Sequence, residues 1–511
     1  MSYPTNYNAA TDFVDRNVEA GRGAKTAFID PQRSLSYGEL QDGSRRVANL
    51  LRAKGIKHED RVAMLVHDTV DFPLIFWGAI RAGIIPVALN TLLSTDQYHY
   101  ILDDSRAKIL FVSAALLDTV TPALEKLPHL QHIFVVGGES GGHIDFSEAL
   151  AQQSDQFETV TTHADETAFW LYSSGSTGMP KGVLHVHTSL METARLYGQN
   201  VLGIEETDVV YSAAKLFFAY GLGNGMSFPM SVGATTVLLP GRPTPESVLE
   251  ILRKYQPTIY CGVPTLYAAL LAHPDCTREK GSSRLRRCLS AGEALPEEVG
   301  KSWKRIMGVD ILDGVGSTEM LHIFLSNRPD DIVYGTSGRA VPGYELRLVD
   351  EKGEEVGENE IGELLVRGSS AAGGYWNQRE KSRRTFEGEW TRTGDKYTRD
   401  AEGRYHYCGR TDDMFKVSGI WVSPFEVESA LISHESVLEA AVVPFEDSDE
   451  LTKPKAFVVL QEGVSPDGMF EVLKSHVQSG IGKWKYPREI VFVESLPKTA
   501  TGKIQRFKLR S

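Results

Sequence analysis

The chain has 511 residues, too many for one hydrophobic core, so at least two core-forming units are expected. Its 41% hydrophobic and 24% charged residues are typical of a globular protein, and its formal net charge of −13 argues against a general nucleic-acid or anionic-membrane surface. Four scattered cysteines without metal-ligand spacing indicate neither a disulfide framework nor a zinc site and are typical of a reduced, cytoplasmic compartment.

Neither a secretory signal nor a membrane span is expected. The amino-terminal residues contain no basic segment followed by an apolar core. The most apolar long stretch, residues 72–89, contains Arg81, two prolines and two glycines. It is therefore predicted to form a buried helix and strand.

Helical patterns alternate with short apolar runs up to about residue 340. Residues 37–55 predict a helix, and RVAMLV, KILFV, HIFVV and TTVLL predict strands. This alternation predicts α/β layers with largely parallel sheets.

A loop of glycines and hydroxyl residues, YSSGSTGMPKG, occupies residues 172–182 between the predicted strands FWLY and VLHVH. Its N–H groups and hydroxyls could surround phosphate oxygens, with Lys181 adding charge; a flexible connector is the alternative. Lysine does not directly follow glycine as in a Walker-type loop, and G-x-S-x-G is absent, which disfavours a P-loop NTPase and a hydrolase. Ser189 and Glu192 then predict a capping box for a helix at residues 190–198.

Three later segments carry residues suited to nucleotide chemistry. Thr318 and Glu319, in GSTE, place a hydroxyl beside a carboxylate, which suits Mg²⁺ on phosphate oxygens; a helix cap is the alternative. Asp395, in TRTGD, could accept ribose hydroxyls or be a β-turn residue. Residues 483–511 carry eight Lys/Arg against two Asp/Glu, and Lys503 lies there in a glycine-flanked turn.

The strand period changes from residue 344, where antiparallel strands predict a small β-barrel at about residues 340–411. The chain then starts a new unit, in which Ser423, Pro424 and Glu426 begin a helix that is followed by strands and another helix. The fold class is therefore α/β: a large domain, residues 1–411, of layered α/β subdomains plus the barrel, and a small α+β domain, residues 412–511.

Six segments resemble the adenylate-forming superfamily of acyl-CoA synthetases, peptide-synthetase adenylation domains and luciferases. They are YSSGSTGMPKG, SAGEALP, GVGSTE, TRTGD, YCGRTDDMFKVSG and LPKTATGKIQR, in the family's order and approximate spacing. The resemblance covers essentially the whole chain and is closest to benzoate–CoA ligases. It implies that ATP activates a carboxylate to an acyl-adenylate with release of pyrophosphate, and that coenzyme A then takes the acyl group.

The resemblance also implies the nucleotide site. The β- and γ-phosphates would be held by Ser173, Ser174, Gly175, Ser176, Thr177, Gly178 and Lys181. Thr177 and Glu319 would serve Mg²⁺, and Thr318 would contact the α-phosphate. The adenine would be lined by Ala291, Gly292, Glu293, Asp313 and Gly314, and Asp395, supported by Arg410, would bind the ribose.

By the same resemblance, Lys503 reaches the substrate carboxylate and the bridging oxygen of the α-phosphate. Rotation of the small domain about Asp412 would exchange the Lys503 face for the face carrying Gly419, with the basic tail near the phosphates of coenzyme A. Lys416 would approach the acyl pocket in one orientation or face solvent. His187 would lie near the active site, whereas His185 is expected to be an ordinary buried histidine.

The acyl pocket implied by the resemblance is crowded with rings, which favours a flat aryl acid. Its residues are Phe217, Ala219, Tyr220, Phe228, Gly316, His322 and Ile323. Phe218 stands where many relatives carry histidine and has no assigned role. The resemblance implies benzoate as the substrate, in the degradation of aromatic compounds. The alternative is hydroxybenzoate or another aryl or short acyl acid.

Other functions remain open at this point. The first pocket segment lacks the aspartate with which peptide-synthetase domains bind an amino group, so an amino-acid substrate is disfavoured. A luciferase-like oxygenase and a non-catalytic nucleotide-binding protein are the remaining alternatives. The expected partners are small molecules, and either a monomer or a homodimer is compatible with the sequence.

Overall fold

A computed structural model describes residues 3–173, 179–417, 420–447, 451–481, 485–498 and 504–510. Its first elements are π-helical turns Thr11–Asp15 and Val18–Arg22, β1 (Thr26–Ile29), β2 (Ser34–Ser36), α1 (Tyr37–Ala53), β3 (Arg61–Leu65), α2 (Asp71–Arg81), β4 (Ile85–Ala88), α3 (Thr95–Ser105), β5 (Ile109–Ser113), the 3₁₀ turn Ala114–Leu116, α4 (Leu117–Val120), the 3₁₀ turn Thr121–Leu124, β6 (His132–Val136), β7 (Ile144–Asp145) and α5 (Phe146–Ala151).

The next section contains most of the predicted site. Its elements are β8 (Thr167–Ser173), β9 (Lys181–Val186), α6 (Ser189–Thr193), the π-helical turn Ala194–Gln199, β10 (Val209–Ser212), α7 (Ala219–Leu222), the π-helical turn Gly223–Ser227, α8 (Phe228–Val232), β11 (Thr235–Val237), α9 (Pro245–Tyr255), β12 (Ile259–Gly262), α10 (Pro264–Ala272), β13 (Arg287–Ser290), α11 (Glu297–Met307), β14 (Ile311–Gly316), β15 (Ile323–Ser326) and β16 (Arg339–Ala340).

The remaining elements form a sheet and the carboxy-terminal unit. They are β17 (Glu345–Val349), β18 (Gly362–Arg367), β19 (Gly374–Tyr375), α12 (Arg379–Thr385), β20 (Phe386–Glu387), β21 (Trp390–Arg399), β22 (Tyr405–Arg410), β23 (Phe415–Val417), β24 (Ile420–Val422), α13 (Pro424–Ile432), β25 (Val437–Glu446), β26 (Thr452–Leu460), α14 (Met469–Ile481), β27 (Glu489–Phe492) and the 3₁₀ turn Arg506–Lys508.

Two large sheets confirm the predicted α/β layers. One has the strand order β19-β9-β8-β4-β3-β5-β6-β7 and is parallel from β8 to β7. The other has the order β16-β15-β14-β13-β12-β10-β11-β1-β2 and is parallel from β14 to β1. Antiparallel strands are confined to the edges, so the loops after β8 and β14 both leave the carboxyl ends of parallel strands, where α/β proteins bind ligands.

The apolar stretch at residues 72–89 forms α2 and β4, as predicted. Its arginine is fully buried because Arg81 Nη1 and Nη2 donate to the two carboxylate oxygens of Asp15 at 2.9 and 2.8 Å. A buried charge of this kind is tolerated only when it is paired. Among the described residues, no helix combines the length and the apolar character that crossing a membrane requires.

The region predicted as a small barrel is a five-stranded antiparallel sheet. β18 lies between β17 and β21, and β21 also pairs with β20 and β22. In the described part of the chain, β17 pairs with neither β20 nor β22. The sheet is therefore not closed into a barrel there.

The carboxy-terminal unit is a separate small α+β domain with its own core. Its two helices, α13 and α14, contribute Val427, Leu431 and Leu473 to a core that includes Val442 and Val458 from the sheet β25-β26-β27. The predicted start of its first helix is confirmed, since Ser423 Oγ accepts the N–H of Glu426 at 3.0 Å. The exact division at residues 411 and 412 stays a prediction.

The predicted capping box at Ser189 and Glu192 is wrong. The helix begins at Ser189 itself, with Thr188 as N-cap and no side-chain cap. The carboxylate of Glu192 instead accepts hydrogen bonds from Tyr3 Oη at 2.8 Å, from Arg195 and from Ser369. Two of these partners, Tyr3 and Ser369, come from distant segments, and together the three use the oxygens that a capping box would need.

Candidate functional site

The loop predicted to bind phosphate begins and ends at two directly paired residues. β8 and β9 are antiparallel, and Ser173 is the register partner of Lys181. Ser174, Gly175, Ser176, Thr177 and Gly178 lie outside the described residues, so their predicted contacts stay predictions. The predicted strand–loop–strand arrangement is confirmed at both of its ends.

The Lys181 ammonium, the Tyr375 hydroxyl and the Glu319 carboxylate form a compact cluster beside this loop. The hydroxyl of Tyr375 donates to Glu319 Oε1 at 2.7 Å, and Lys181 Nζ donates to the same hydroxyl at 3.2 Å. The ammonium lies 3.5 Å from Glu319 Oε1 and 4.2 Å from the centre of the tyrosine ring. The two predicted residues therefore do come together, and Tyr375 is a member that the sequence analysis missed.

A tight turn after β14 places Glu319. Met320 N donates to Ser317 Oγ at 3.1 Å, and Leu321, with φ of 65°, donates its N–H to Thr318 O at 3.1 Å. This segment is a turn, so the alternative of a helix cap at Thr318 is wrong. The carbonyl of Glu319 accepts the N–H of Ala372 at 2.8 Å, which ties the turn to the segment that carries Tyr375.

His185 on β9 is buried, as expected, but it also contacts the site, whereas His187, directly after β9, has a partner elsewhere. The ring Nε2 of His185 lies 2.8 Å from the carbonyl oxygen of Thr318, so this residue contacts the site. Burial lowers the pKa of His185 to about 4, and the neutral ring donates from Nε2. His187, expected near the active site, accepts the N–H of Ala9 at 3.2 Å instead.

The predicted adenine site contains one buried carboxylate, that of Asp313. Asp313 is 5% exposed; its Oδ2 accepts the N–H of Leu295 at 3.4 Å, and its Oδ1 has no hydrogen-bond partner in the described part of the chain. Burial raises the pKa of this carboxyl well above its usual range. Gly292, beside buried Ala291 and half-buried Glu293, has φ of 95° and open space where a side chain would be. A methyl group on Gly314 would approach Ile323 to 3.0 Å.

The predicted ribose site contains an ion pair across two strands. Asp395 on β21 and Arg410 on β22 are register partners, and Arg410 Nη1 lies 3.0 Å from Asp395 Oδ1. The same nitrogen donates to Thr393 O at 2.9 Å. Arg410 therefore supports Asp395, as the sequence analysis expected.

The predicted acyl pocket is built around His322. Its ring centre lies 4.4 Å from that of Phe228, 5.7 Å from that of Tyr220 and 5.4 Å from that of Tyr197, a contact that the sequence analysis missed. Nε2 of His322 lies 3.3 Å from Tyr220 O, whereas Nδ1 is buried without a partner among the described residues. Burial lowers the pKa of His322 to about 3, so the ring is neutral.

The other predicted pocket residues lie close to Tyr220 or to His322 along the chain. Phe217 and Ile323 are buried, Ala219 is half-buried, and Phe218 packs on Phe217 with 4.4 Å between ring centres. A methyl group on Gly316 would lie 2.5 Å from His322 O. Close approach of the backbone therefore requires glycine at this position.

The hinge region contacts the carboxy-terminal tail. Asp412 is exposed, and its carbonyl accepts a hydrogen bond from Arg510 Nη2 at 3.3 Å. Lys416 lies on β23, while Gly419 and Lys503 lie outside the described residues. The residues flanking the predicted Lys503 turn do pair, since Lys498 and Ile504 form an antiparallel bridge.

Glu319 is the described residue best suited to Mg²⁺. Within the described ranges, no group of three or more His, Cys, Asp or Glu side chains could hold a metal ion. Mg²⁺ in phosphate sites commonly takes only one or two carboxylates, with substrate phosphates and waters as the other ligands. A single, 14% exposed carboxylate beside a phosphate loop fits that requirement.

Comparisons with known proteins show the family to which the chain belongs. Residues 14–376 match the AMP-binding enzyme family, and residues 426–503 match the AMP-binding enzyme C-terminal domain. The 4-hydroxybenzoate–CoA/benzoate–CoA ligase of Rhodopseudomonas palustris is 58% identical over 99% of this chain and 94% of its own length. The benzoate–CoA ligase of Thauera aromatica is 57% identical over 100% of this chain and 97% of its own length. The solved structure of a benzoate CoA ligase from Burkholderia xenovorans LB400 has a TM-score of 0.92 at 48% identity, with 99% and 100% of the two chains covered.

Proposed function

Because the chain belongs to the AMP-binding enzyme family, we propose that it is an ATP-dependent acid–thiol ligase that converts benzoate, or a close aryl analogue, into its coenzyme A thioester. The relatives named above, two benzoate-accepting ligases and a solved benzoate CoA ligase, support this substrate class. The products are the aryl-CoA thioester, AMP and pyrophosphate.

One structural observation carries the proposal. The connection formed by residues 316–323 has Glu319 at one side, in contact with Lys181 and Tyr375, and His322 at the other, inside the aromatic cluster. A phosphate-binding group and an apolar ring pocket therefore share one backbone segment. This juxtaposition suits a reaction that brings an aryl carboxylate to a nucleotide phosphate.

In the first half-reaction, the aryl ring lies among Phe217, Phe228 and His322. Lys181 and the loop N–H groups hold the phosphates, and Asp395 and Arg410 hold the ribose. A carboxylate oxygen attacks the α-phosphorus, the bond to the β-phosphate oxygen breaks, and pyrophosphate leaves. Both reactants are anions, so preorganised cations and N–H dipoles must absorb the charge that develops.

Glu319 would hold Mg²⁺, together with Thr177, which lies outside the described residues. When bound, this ion supplies positive charge to the phosphate oxygens. Lys181, at 3.5 Å from Glu319, supplies a second, permanent cation in the same place.

In the second half-reaction, the thiolate of coenzyme A attacks the acyl carbon and AMP leaves with the electrons of the broken C–O bond. We propose that Lys503 serves only the first half-reaction, and that the domain of residues 412–511 then rotates about Asp412 to present the face with Lys416 and Gly419. The contact between Arg510 and Asp412 O supports a hinge at this position, because the tail and the hinge adjoin.

Hydroxybenzoate is the second candidate substrate. The printed name of the Rhodopseudomonas palustris relative includes 4-hydroxybenzoate. In the pocket, the buried and unpartnered Nδ1 of His322 offers a polar atom that a ring hydroxyl could pair with. Which acid is preferred depends on such a contact, since leaving a buried polar group unpaired is costly.

Release of pyrophosphate with a panel of aryl, cinnamyl and medium-chain acids, with and without coenzyme A, tests the proposal. Benzoate or a hydroxybenzoate is expected to give pyrophosphate and AMP, and thioester only when coenzyme A is present. Absence of AMP with every small aromatic acid would overturn the proposal. Oxygen consumption or light emission would instead favour a luciferase-like oxygenase, and ATP binding without turnover a nucleotide-binding protein.

We also propose that the enzyme acts in the cytoplasm, as a monomer or a homodimer, with small molecules as its partners. All four cysteines are free, and three of them are buried, which is consistent with a reducing compartment. Light scattering of the purified protein distinguishes the two oligomeric states.

A further inference from the structure

We propose that Tyr375 is a positioning residue of the nucleotide site, whose hydroxyl holds the Lys181 ammonium and the Glu319 carboxylate apart and in fixed places. This inference rests on the proposed nucleotide-dependent function and extends it to a residue outside the six segments quoted above. Lys181 is then available to a phosphate, and Glu319 to a cation, when the nucleotide arrives.

The hydroxyl of Tyr375 bridges two groups that attract each other. It donates to Glu319 Oε1 at 2.7 Å and accepts from Lys181 Nζ at 3.2 Å, whereas the two charged atoms remain 3.5 Å apart. A direct N–H···O hydrogen bond between an ammonium and a carboxylate is normally 2.7–2.9 Å long. The tyrosine thus occupies the position in which the lysine would otherwise satisfy that carboxylate oxygen.

The backbone of Tyr375 is fixed to both of its partners. β19 pairs with β9, where Tyr375 is the register partner of Val183, and Trp376 N donates to Gly182 O at 2.8 Å. On the other side, Ala372 N donates to Glu319 O at 2.8 Å. The hydroxyl is therefore aimed from a segment held to the strand of Lys181 and to the turn of Glu319.

The tyrosine is also held in one place. Its backbone N–H donates to Ser382 Oγ at 2.9 Å, its ring centre lies 5.3 Å from that of Phe386, and its side chain is buried beside Val183 and Ala372.

A packing role alone does not require the hydroxyl. Phenylalanine at this position would keep the ring contact with Phe386 and the contact of the ring face with the lysine ammonium. Without the hydroxyl, the remaining donor recorded beside Glu319 Oε1 in the described part of the chain is the flexible side chain of Lys181, at 3.5 Å. The two charges are then expected to close into a direct pair, which competes with phosphate for the lysine and with Mg²⁺ for the carboxylate.

The test compares Tyr375→Phe with Tyr344→Phe. Tyr344 is a matched control because its buried hydroxyl also makes a 2.7 Å hydrogen bond, to Ser370, but contacts neither Lys181 nor Glu319. Equilibrium binding of ATP is measured by calorimetry over a range of Mg²⁺ concentrations and in EDTA, without aryl acid. KM for ATP, KM for benzoate and kcat are measured alongside.

Tyr375→Phe is expected to raise the Mg²⁺ concentration for half-maximal ATP binding, and KM for ATP, about tenfold, the effect of one lost hydrogen bond to a charged group. KM for benzoate and the parameters of Tyr344→Phe should stay within about twofold of the wild type. In a Glu319→Gln background, removal of the hydroxyl should no longer alter the Mg²⁺ dependence. Equal ATP and Mg²⁺ behaviour of the two tyrosine variants would overturn the inference.

The binding measurement separates this inference from the proposed function. If the wild type binds ATP with Mg²⁺ but activates none of the aryl acids, the proposed function fails while the comparison of the two variants still decides the role of Tyr375. If the wild type forms aryl-CoA and Tyr375→Phe behaves as Tyr344→Phe does, the inference alone fails.

Discussion

His185 Nε2 lies 2.8 Å from the carbonyl oxygen of Thr318 and so joins the strand that follows the phosphate loop to the turn that carries Glu319. β9 and β14 belong to different sheets, and this hydrogen bond connects the two at the site. The ring is fully buried and stacked on Phe169 at 5.2 Å, which fixes the direction of the donor.

Replacement His185→Leu is expected to lower the free energy of unfolding by about 0.5–1.5 kcal/mol, because it removes one of the two hydrogen bonds that the Thr318 carbonyl accepts, the other coming from the N–H of Leu321. It should also raise KM for ATP more than KM for the aryl acid, since the freed turn carries Glu319. His185→Gln keeps an N–H donor and should recover most of both losses. Urea denaturation and steady-state kinetics measure the effects, and equal losses in the two variants would contradict the assigned hydrogen bond.

The protein is expected to lose stability as the pH falls from about 6.5 toward about 4. Burial lowers the pKa of His185 and of His187 to about 4, while in the unfolded chain both titrate near 6.5. In this window the unfolded chain binds protons that the folded chain does not, so each histidine lowers the free energy of unfolding by up to about 1.4 kcal/mol per pH unit. Burial raises the pKa of Asp68 to about 6, which opposes this trend in the same window.

Urea denaturation at pH 7.5, 6.5 and 5.5 measures this dependence in the wild type and in His185→Gln. The variant lacks one of the titrating rings and should show a smaller decrease. His129→Gln, at an exposed position, provides the control and should follow the wild type. A decrease in His185→Gln as steep as that in the wild type would show that His185 does not contribute.

Lys503→Ala is expected to abolish most adenylate formation while leaving thioester formation from supplied aryl-adenylate within about tenfold, less than the loss of one catalytic donor costs. Asp412→Pro should do the reverse, because it restricts the backbone at the proposed hinge. Single-turnover measurements of pyrophosphate release and of thioester formation separate the two steps. Parallel loss of both steps in Lys503→Ala would argue against two domain orientations.

Gly223→Ala is expected to impair the acyl pocket selectively. A methyl group there would lie 2.3 Å from His322 Cδ2 and 3.0 Å from Phe228 Cζ, so the rings of the proposed pocket must shift. Overpacking of this kind typically costs about 1–3 kcal/mol of stability. KM for benzoate should rise while ATP binding stays near that of the wild type. Gly241→Ala, where the methyl group meets open space, is the matched control.

The local parts of the site could be predicted from the sequence, whereas contacts between distant segments could not. The strand–loop–strand arrangement at residues 167–186 could be predicted because an apolar run, a glycine-rich loop and a second apolar run follow one another in the sequence. Tyr375 is brought to Lys181 by the two-residue strand β19, which is too short to show a period. The glycine pair before Tyr375 was its only local signal.

Long-range partners also explain the wrong local predictions. Ser189 and Glu192 have the spacing of a capping box, but Glu192 bonds to Tyr3 and Ser369 from remote segments. His185 and His187 are two residues apart, a spacing that predicts the same side of one strand, but β9 ends at Val186 and only the tertiary structure reveals that the His185 ring meets Thr318.

A redesign of the substrate range must take into account that the connection at residues 316–323 carries both Glu319 and His322. Changes at His322 alter the same short backbone segment that carries Glu319, the proposed Mg²⁺ ligand, so a wider pocket made there is expected to lower turnover. The opposite wall, around Phe217 and Phe228, belongs to other elements and makes no recorded contact with that carboxylate in the described part of the chain. Libraries for bulkier ring acids are therefore best begun on that wall.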